Sequence, residues 1–199
     1  MTRTLTREPT ARSVGPSAIA TPANAVTIGR LAFSPLLWAL IVATEASSWA
    51  TVVLWTLMAS TDGLDGWLAR RMGTTRSGAF LDPLADKALV LGAMWSVVVA
   101  GRFWWLPVAL ITVREVAISG FRSYWTRQGL AVPARFWAKV KTVVQSVAVG
   151  IAVAPLFDGY EAFVAFVLWV AVALTLVTGA QYLMEGSRST SSGGMRESV

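Results

Sequence analysis

The chain has 199 residues, the length of one domain, and 55% of them are hydrophobic while only 14% are charged. A soluble globular chain carries nearer a quarter of charged residues, so this composition excludes an ordinary soluble enzyme and a disordered chain. The sequence has no Cys and no His, which excludes disulfides, thiolate zinc sites, His-based triads and His-ligated metals. The net charge of +6 fits a nucleic acid, an anionic membrane surface or a phosphorylated substrate as partner.

Six apolar segments are long enough to form helices that cross a bilayer, which takes about 20 residues each. We therefore predict an all-α polytopic membrane protein with six transmembrane helices. The predicted spans are residues 24–43, 48–70, 79–100, 103–125, 134–156 and 160–183. Around a membrane domain of residues 23–185, the polar residues 1–22 and 186–199 are predicted to form a loose N-terminal tail and a disordered C-terminal tail.

The basic residues give the chain an orientation in the membrane. Most Lys and Arg residues fall in the tails or at the span ends on one side, whereas the loops on the other side hold only one of them, Arg102. Cytoplasmic loops carry such an excess, so both termini are predicted to be cytoplasmic in a multi-pass protein of the cell (cytoplasmic or inner) membrane. Because the basic residues border spans and form no continuous stripe, we expect no nucleic-acid partner.

Four aspartates crowd the end of the second span and the start of the third. Asp62 and Asp65 are three residues apart and Asp82 and Asp86 are four apart, so each pair shares one helix face. Acidic residues inside a membrane are costly and mark function, and a divalent ion would relieve their repulsion. With only oxygen ligands available, the pattern predicts Mg²⁺ or Mn²⁺, ions that serve phosphoryl chemistry. The alternative is ion pairing at a solvated helix end with Arg70, Arg71, Arg76 and Lys87.

The same stretch contains a longer motif, Asp62-x2-Asp65-Gly66-x2-Ala69-Arg70-x7-Gly78-x3-Asp82-x3-Asp86. It resembles the signature of the CDP-alcohol phosphatidyltransferase family. The family usually has eight or nine residues between the Arg and the second Gly, whereas this chain has seven, so the path of the turn at Arg71–Ser77 is left open. The resemblance implies a membrane-embedded homodimer with a polar active-site cavity open to the cytoplasm. It also implies that an acceptor hydroxyl displaces CMP from a CDP-linked lipid.

The resemblance also implies roles for single residues. Asp62, Asp65 and Asp82 would be metal ligands, and Asp86 would be the base that deprotonates the acceptor hydroxyl while also contacting metal. The nucleotide would be bound near the remaining motif residues Gly66, Ala69, Arg70 and Gly78. Similar Asn/Thr/Arg spacing begins the first span of many family members, which adds Asn24 and Thr27 to the nucleotide site. A plain helix start is the alternative for these two.

The fourth and fifth spans carry the cations that would select the acceptor. Fixed cations at the cytoplasmic end of a cavity suit a phosphorylated alcohol. The candidates for binding its phosphate are Arg114, Arg122, Lys139 and Lys141. This stretch is similar to family members that use CDP-diacylglycerol and glycerol 3-phosphate to make phosphatidylglycerophosphate. Positive-inside topology alone is the alternative explanation. Glu115 needs a partner inside its span, which Arg114, Arg122 or Lys139 could supply.

Other functions remain open at this point. Within the family, inositol phosphate is a rival acceptor because it also brings a phosphate, and phosphatidylglycerol as acceptor would give cardiolipin. Outside the family, a small ion or proton transporter would also hold membrane carboxylates, but distributed through the bilayer depth along several spans. Four acids in one hairpin beside basic residues favour an enzyme over a transporter and over a non-catalytic scaffold.

Overall fold

A computed structural model describes the backbone of residues 22–72, 76–127 and 136–193, and the side chains of 25–61, 84–121, 140–181 and 184. Six α-helices and no strand are found in these ranges, which confirms the all-α prediction for the described part of the chain. The helices are α1 Pro22–Ala43, α2 Trp49–Met72, α3 Arg76–Val99, α4 Trp105–Arg127, α5 Phe136–Val153 and α6 Glu161–Gly193.

All helix ends but one lie within three residues of the predicted spans, and two of the differences have a clear physical reason. The fifth span was expected to reach residue 156, but α5 ends at Val153 and a short 3-10 turn, Pro155–Phe157, follows. Proline lacks the N–H that a continuing α-helix needs and disfavours the α conformation in the residue before it. At the other end of the chain, α6 continues to Gly193, past the expected tail boundary at residue 185. Extending an existing helix costs far less than nucleating one, so a polar segment can follow the apolar one.

Two of the six helices are long and apolar enough to cross a bilayer by length and composition, counting only the described residues. These segments are Ala25–Ala43 and Glu161–Gln181, and shorter apolar helices occur at Trp49–Thr61 and Val140–Val153. The charged residues that follow Thr61 in α2 and those inside α3 and α4 interrupt their apolar runs. The number of membrane crossings therefore stays a prediction.

The core lies where one apolar stripe of each helix meets its neighbours. The helix α1 packs against α2 and α3, α6 packs against α4 and α5, and α3 joins the two groups through α4 and α5. Buried residues recur every three or four positions, as in Leu37 and Ile41 of α1 or Leu89, Ala93 and Val97 of α3. Because side chains at this spacing share one helix face, each helix contributes one stripe to a continuous interior.

Outside the core, the surface is strongly apolar. Phe33, Leu57, Val113 and Phe166 are each at least 60% exposed, and they come from four different helices. Soluble monomers rarely expose large contiguous apolar patches, so a surface of this kind marks contact with lipid or with another protein.

Three connections between helices meet at one end of the bundle and are tied together there. Ser47 Oγ donates a 2.6 Å hydrogen bond to Asp158 Oδ2, the Arg102 guanidinium pairs with Asp158 Oδ1, and Arg102 Nη2 donates to Phe157 O at 3.2 Å. The hydrogen bond from Ser47 and the bond and charge of Arg102 hold the pKa of Asp158 below its usual range. We call Ser47, Arg102 and Asp158 the loop-end cluster. The aspartate motif lies towards the opposite end, at the end of α2 and the start of α3.

Candidate active site

The four motif aspartates lie on two consecutive helices. Asp62 and Asp65 belong to the last turns of α2, and Asp82 and Asp86 to the first turns of α3, as the hairpin prediction requires of the backbone. Of the four side chains, only that of Asp86 belongs to the described part of the structure. Several residues with a predicted metal or nucleotide role have side chains outside the described part of the structure, so their roles stay predictions. They are Asn24, Asp62, Asp65, Gly66, Ala69, Arg70, Gly78 and Asp82.

Asp86 is half-buried and lines a cleft of about 530 Å³ between α2, α3 and α5. Towards the motif end, Asp86 shares the lining with the hydroxyl residues Ser60 and Thr142. Towards the loop-end cluster, the lining is apolar and includes Ile151 and Phe157. The cleft can therefore hold a molecule with a polar group at Asp86 and an apolar part along α2 and α5.

A second feature is a buried group of charges centred on Glu115 of α4. The Glu115 residue is 5% exposed and Lys141 of α5 is equally buried, and Lys141 Nζ pairs with Glu115 Oε1. Arg114 Nη1 donates to the same oxygen at 2.9 Å, while Lys87 Nζ of α3 lies 3.8 Å from Oε2. We call Lys87, Arg114, Glu115 and Lys141 the Glu115 cluster. It joins three helices through one carboxylate.

Neutral side chains connect the Glu115 cluster and its surroundings to α6. Arg114 Nη2 donates to Thr178 Oγ1 at 3.0 Å, and a Cβ atom at Gly179 would lie 2.9 Å from Arg114 Nε. Glycine at this position therefore leaves the space that the arginine occupies. One turn further along α5, Gln145 Nε2 donates to Thr175 Oγ1 at 2.9 Å. The position of Arg114 is consequently fixed from both α4 and α6.

The cluster holds more cations than anions. Three cations share one carboxylate, so the four residues together carry a formal charge of +2. An anion carrying two negative charges would be attracted to these cations and could accept charge-assisted hydrogen bonds from them. The site is therefore suited electrostatically to bind a phosphate group.

The cleft and the Glu115 cluster adjoin at two pairs of consecutive residues. On α3, Asp86 lines the cleft and Lys87 belongs to the cluster; on α5, Thr142 lines the cleft and Lys141 belongs to the cluster. Because consecutive helix residues point about 100° apart, one helix can serve both regions at the same depth. A molecule at the polar end of the cleft is thus next to the excess positive charge.

Some predicted site residues are brought together and others are not described. Arg114 and Lys141, predicted to bind the acceptor phosphate, meet at Glu115, whereas the side chains of Arg122 and Lys139 lie outside the described residues. Of the three predicted partners of Glu115, which are Arg114, Arg122 and Lys139, Arg114 donates to it, and Lys141, predicted to bind substrate, supplies a second bond. Thr27, predicted at the nucleotide site, is buried within α1.

Sequence reasoning missed the place of Lys87 and Ser119 in this region. The sequence offers Lys87 as an ion-pair partner for the aspartates, and the structure adds that its ammonium donates to Ser119 Oγ of α4 and lies 3.8 Å from Glu115 Oε2. The only available signal was its position, directly after the last motif aspartate and one helix face away from it. A single position of this kind does not identify a partner 32 residues away.

Comparison with known proteins gives the class of this protein. The family model described as CDP-alcohol phosphatidyltransferase matches residues 20–177, which include α1 to α5 in full and α6 as far as Val177. The chain therefore belongs to the CDP-alcohol phosphatidyltransferase family.

Similar proteins carry more particular names. A protein of Mycobacterium tuberculosis named probable phosphatidylglycerophosphate synthase is 37% identical over 196 residues, which cover 96% of this chain and 92% of that protein. A CDP-diacylglycerol–glycerol-3-phosphate 3-phosphatidyltransferase of Escherichia coli is 39% identical over 144 residues, covering 69% of this chain and 78% of that protein. The Haemophilus influenzae protein of the same name is 34% identical over 145 residues, with 70% and 78% covered.

Proposed function

We propose that this protein transfers the phosphatidyl group of CDP-diacylglycerol to glycerol 3-phosphate, giving phosphatidylglycerophosphate and CMP. The observation that carries the proposal is the position of Asp86, where a largely apolar cleft adjoins a buried cluster with excess positive charge. The names of the similar proteins from three bacteria support the same pair of substrates.

Asp86 is proposed to act as the base. The acceptor hydroxyl attacks the phosphorus that carries the diacylglycerol, a new P–O bond forms, and the bond to the CMP phosphate oxygen breaks. Asp86 takes the proton of the attacking hydroxyl, and CMP leaves with the bonding electron pair. General-base catalysis requires the carboxylate to lie within reach of the attacking hydroxyl, and Asp86 lines the cleft proposed to hold the reacting groups.

The donor lipid is proposed to lie in the cleft with its pyrophosphate at the Asp86 end. The apolar lining along α2 and α5 suits hydrocarbon, whereas Ser60 and Thr142 offer hydroxyls near the phosphates.

A divalent cation fits the residue types of the motif. The chain offers no His or Cys ligand, and Asp86 presents a carboxylate to the cleft, so the donor set is the oxygen-only one that Mg²⁺ or Mn²⁺ prefers. Asp62, Asp65, Asp82 and Asp86 are the proposed ligands. When bound, the cation would neutralise charge on the pyrophosphate and favour departure of CMP. The nucleotide itself is proposed to contact the other motif residues, Gly66, Ala69, Arg70 and Gly78, together with Asn24 and Thr27.

The acceptor phosphate is proposed to bind at the Glu115 cluster. Two positive charges in excess match a phosphate dianion, and Arg122 and Lys139 would add further cations from the same two helices. Inositol phosphate brings the same group, so it is the acceptor that competes with glycerol 3-phosphate in this proposal. A site for a lipid acceptor such as phosphatidylglycerol would need fewer basic residues.

The protein is proposed to span the membrane six times with both termini in the cytoplasm. The exposed apolar side chains on four helices support contact with lipid, and the excess of Lys and Arg at the motif end supports a cytoplasmic active site. A homodimer in the cell membrane, as the family resemblance implies, completes the proposal.

The test is CMP release by the purified protein in detergent with CDP-diacylglycerol and Mg²⁺. Glycerol 3-phosphate, inositol phosphate, free inositol, serine and phosphatidylglycerol are offered in parallel, and EDTA is expected to stop the reaction until Mg²⁺ or Mn²⁺ is returned. Asp86→Asn is expected to lower the rate about 100-fold or more, because losing a general base costs that much.

The matched control is Asp158→Asn, the same substitution in the loop-end cluster, which is expected to leave the rate within about twofold because exposed sites remote from the chemistry have small effects. CMP release with a different acceptor would overturn the acceptor assignment. Folded protein that releases no CMP with any acceptor would overturn the activity.

A further inference from the structure

The three cations of the Glu115 cluster differ sharply in their accessibility. The side chain of Lys141 is 6% exposed and that of Arg114 is 11% exposed, whereas that of Lys87 is 37% exposed. An anion that enters from solvent can reach an exposed ammonium without first opening the helix packing. By accessibility alone, Lys87 is the cation that such an anion meets first.

The contacts of the Glu115 carboxylate also distinguish Lys87 from the other two cations. Lys141 and Arg114 both donate to Glu115 Oε1, and Arg114 also donates to Thr178. Lys87 Nζ is 3.8 Å from Glu115 Oε2, beyond the range of a good hydrogen bond. The carboxylate therefore engages Lys141 and Arg114 more closely than Lys87.

Ser119 gives Lys87 a defined direction. Its hydroxyl accepts a hydrogen bond from Lys87 Nζ and donates one to the backbone carbonyl of Glu115, one helical turn earlier. A lysine side chain is flexible, and a fixed hydroxyl reduces the freedom that binding would otherwise remove. Ser119 can thus hold the ammonium in place before a ligand arrives.

Lys87 also lies beside the proposed base. Asp86 and Lys87 are consecutive on α3, with Asp86 in the cleft and Lys87 on the side of Glu115 and Ser119. A small acceptor whose phosphate contacts Lys87 has its hydroxyl close to the carboxylate that takes the proton.

We propose that Lys87, held by Ser119, binds the phosphate group of the acceptor alcohol and gives the enzyme its preference for phosphorylated acceptors. Arg114 and Lys141 then act as positioning residues, which fix Glu115 and contribute positive potential. This assignment rests on the proposed phosphatidyl transfer and changes which cation contacts the substrate.

The main test measures KM for glycerol 3-phosphate, KM for CDP-diacylglycerol and kcat in Lys87→Gln. The lost charge-assisted hydrogen bond is expected to raise KM for glycerol 3-phosphate about 10- to 100-fold. The KM for CDP-diacylglycerol is expected to change less, by a few-fold at most, because the donor is proposed to lie on the Asp86 side of α3 and Lys87 lies on the Glu115 side. Lys87→Arg keeps the charge and is expected to recover most of the acceptor affinity. The matched control is Arg102→Gln, which removes a cation from the loop-end cluster and leaves both KM values unchanged.

A second measurement does not depend on turnover. Glycerol 3-phosphate is expected to raise the Tm of the wild-type protein but not that of Lys87→Gln, while CDP-diacylglycerol raises the Tm of both. If Lys87→Gln fails to fold, Ser119→Ala replaces it, because that variant keeps every charge. Its KM for glycerol 3-phosphate is expected to rise several-fold with kcat little changed.

The outcomes separate this assignment from the proposed function. If the wild type releases no CMP with glycerol 3-phosphate, the proposed function fails. If the wild type is active and neither Lys87→Gln nor Ser119→Ala changes KM for glycerol 3-phosphate, only the Lys87 assignment fails. A fall in kcat with an unchanged KM and an unchanged Tm response would likewise overturn it.

Discussion

At the scale of single residues, the role of the buried Glu115 can be interpreted only when its partners on other helices are known. The sequence indicates an acid inside a span that requires a partner, and Arg114 is the partner that adjacency offers. The structure adds Lys141 and Lys87, which lie 26 and 28 residues away on other helices. No periodicity along one helix contains that information, because contacts between helices depend on how they pack.

Replacing Glu115 by Gln is expected to destabilise the protein by about 3–5 kcal/mol, since it leaves Arg114 and Lys141 buried without their counter-ion. Denaturant unfolding in detergent measures this change. Glu45→Gln, the same substitution at an exposed loop position, is expected to change stability by less than about 0.5 kcal/mol.

Adding Lys141→Met to Glu115→Gln is expected to restore part of the lost stability, because the uncompensated ammonium is removed. A Glu115→Gln variant as stable as the wild type would contradict the structural role of this carboxylate.

At the scale of elements, the apolar pattern predicts the helices and most of their ends. Each of the six predicted spans overlaps one observed helix, and the end of α5 follows from Pro155, a local steric effect. The pattern does not say which helices pack together. The close approach of α1 and α3 depends on Gly92, whose missing side chain makes room for the ring of Trp38.

Gly92→Ala is expected to weaken this helix pair. The new Cβ would lie 2.3 Å from ring atoms of Trp38, so the rigid indole or the helix must move, at a cost of about 1–3 kcal/mol. A lower Tm in detergent measures the effect. Gly29→Ala in α1 is the control, because nothing lies within 4 Å of its Cβ position and alanine favours helix. Equal Tm changes in the two variants would contradict the close α1–α3 contact.

At the scale of the whole molecule, the two ends of the helix bundle carry different groups of residues. The loop-end cluster ties three helix connections together, and the motif end carries Asp86 and the cations. Tying the connections at one end restricts how far the helices can separate at the other. A rigid frame of this kind favours a preorganised site.

The loop-end cluster is expected to make stability depend on pH in the acidic range. The pKa of Asp158 is lowered in the folded state, so its contribution is fully present above the ordinary aspartate pKa and is lost as the pH falls through the lowered value. The difference in Tm between wild type and Asp158→Asn is therefore expected at neutral pH and should vanish in strong acid. A difference that persists there would show that the Asp158 charge is not responsible.

The sequence by itself determined the all-α class, the approximate helix bounds, the aspartate motif and the family. These properties depend on composition, on apolar runs and on fixed spacings within about 25 residues, all of which can be read along one chain. Tertiary structure decided that Lys141 and Arg114 meet at Glu115, that Lys87 is the most exposed cation of the Glu115 cluster and that a cleft leads to Asp86. The physical reason is that an apolar stripe specifies burial but not the neighbour it is buried against.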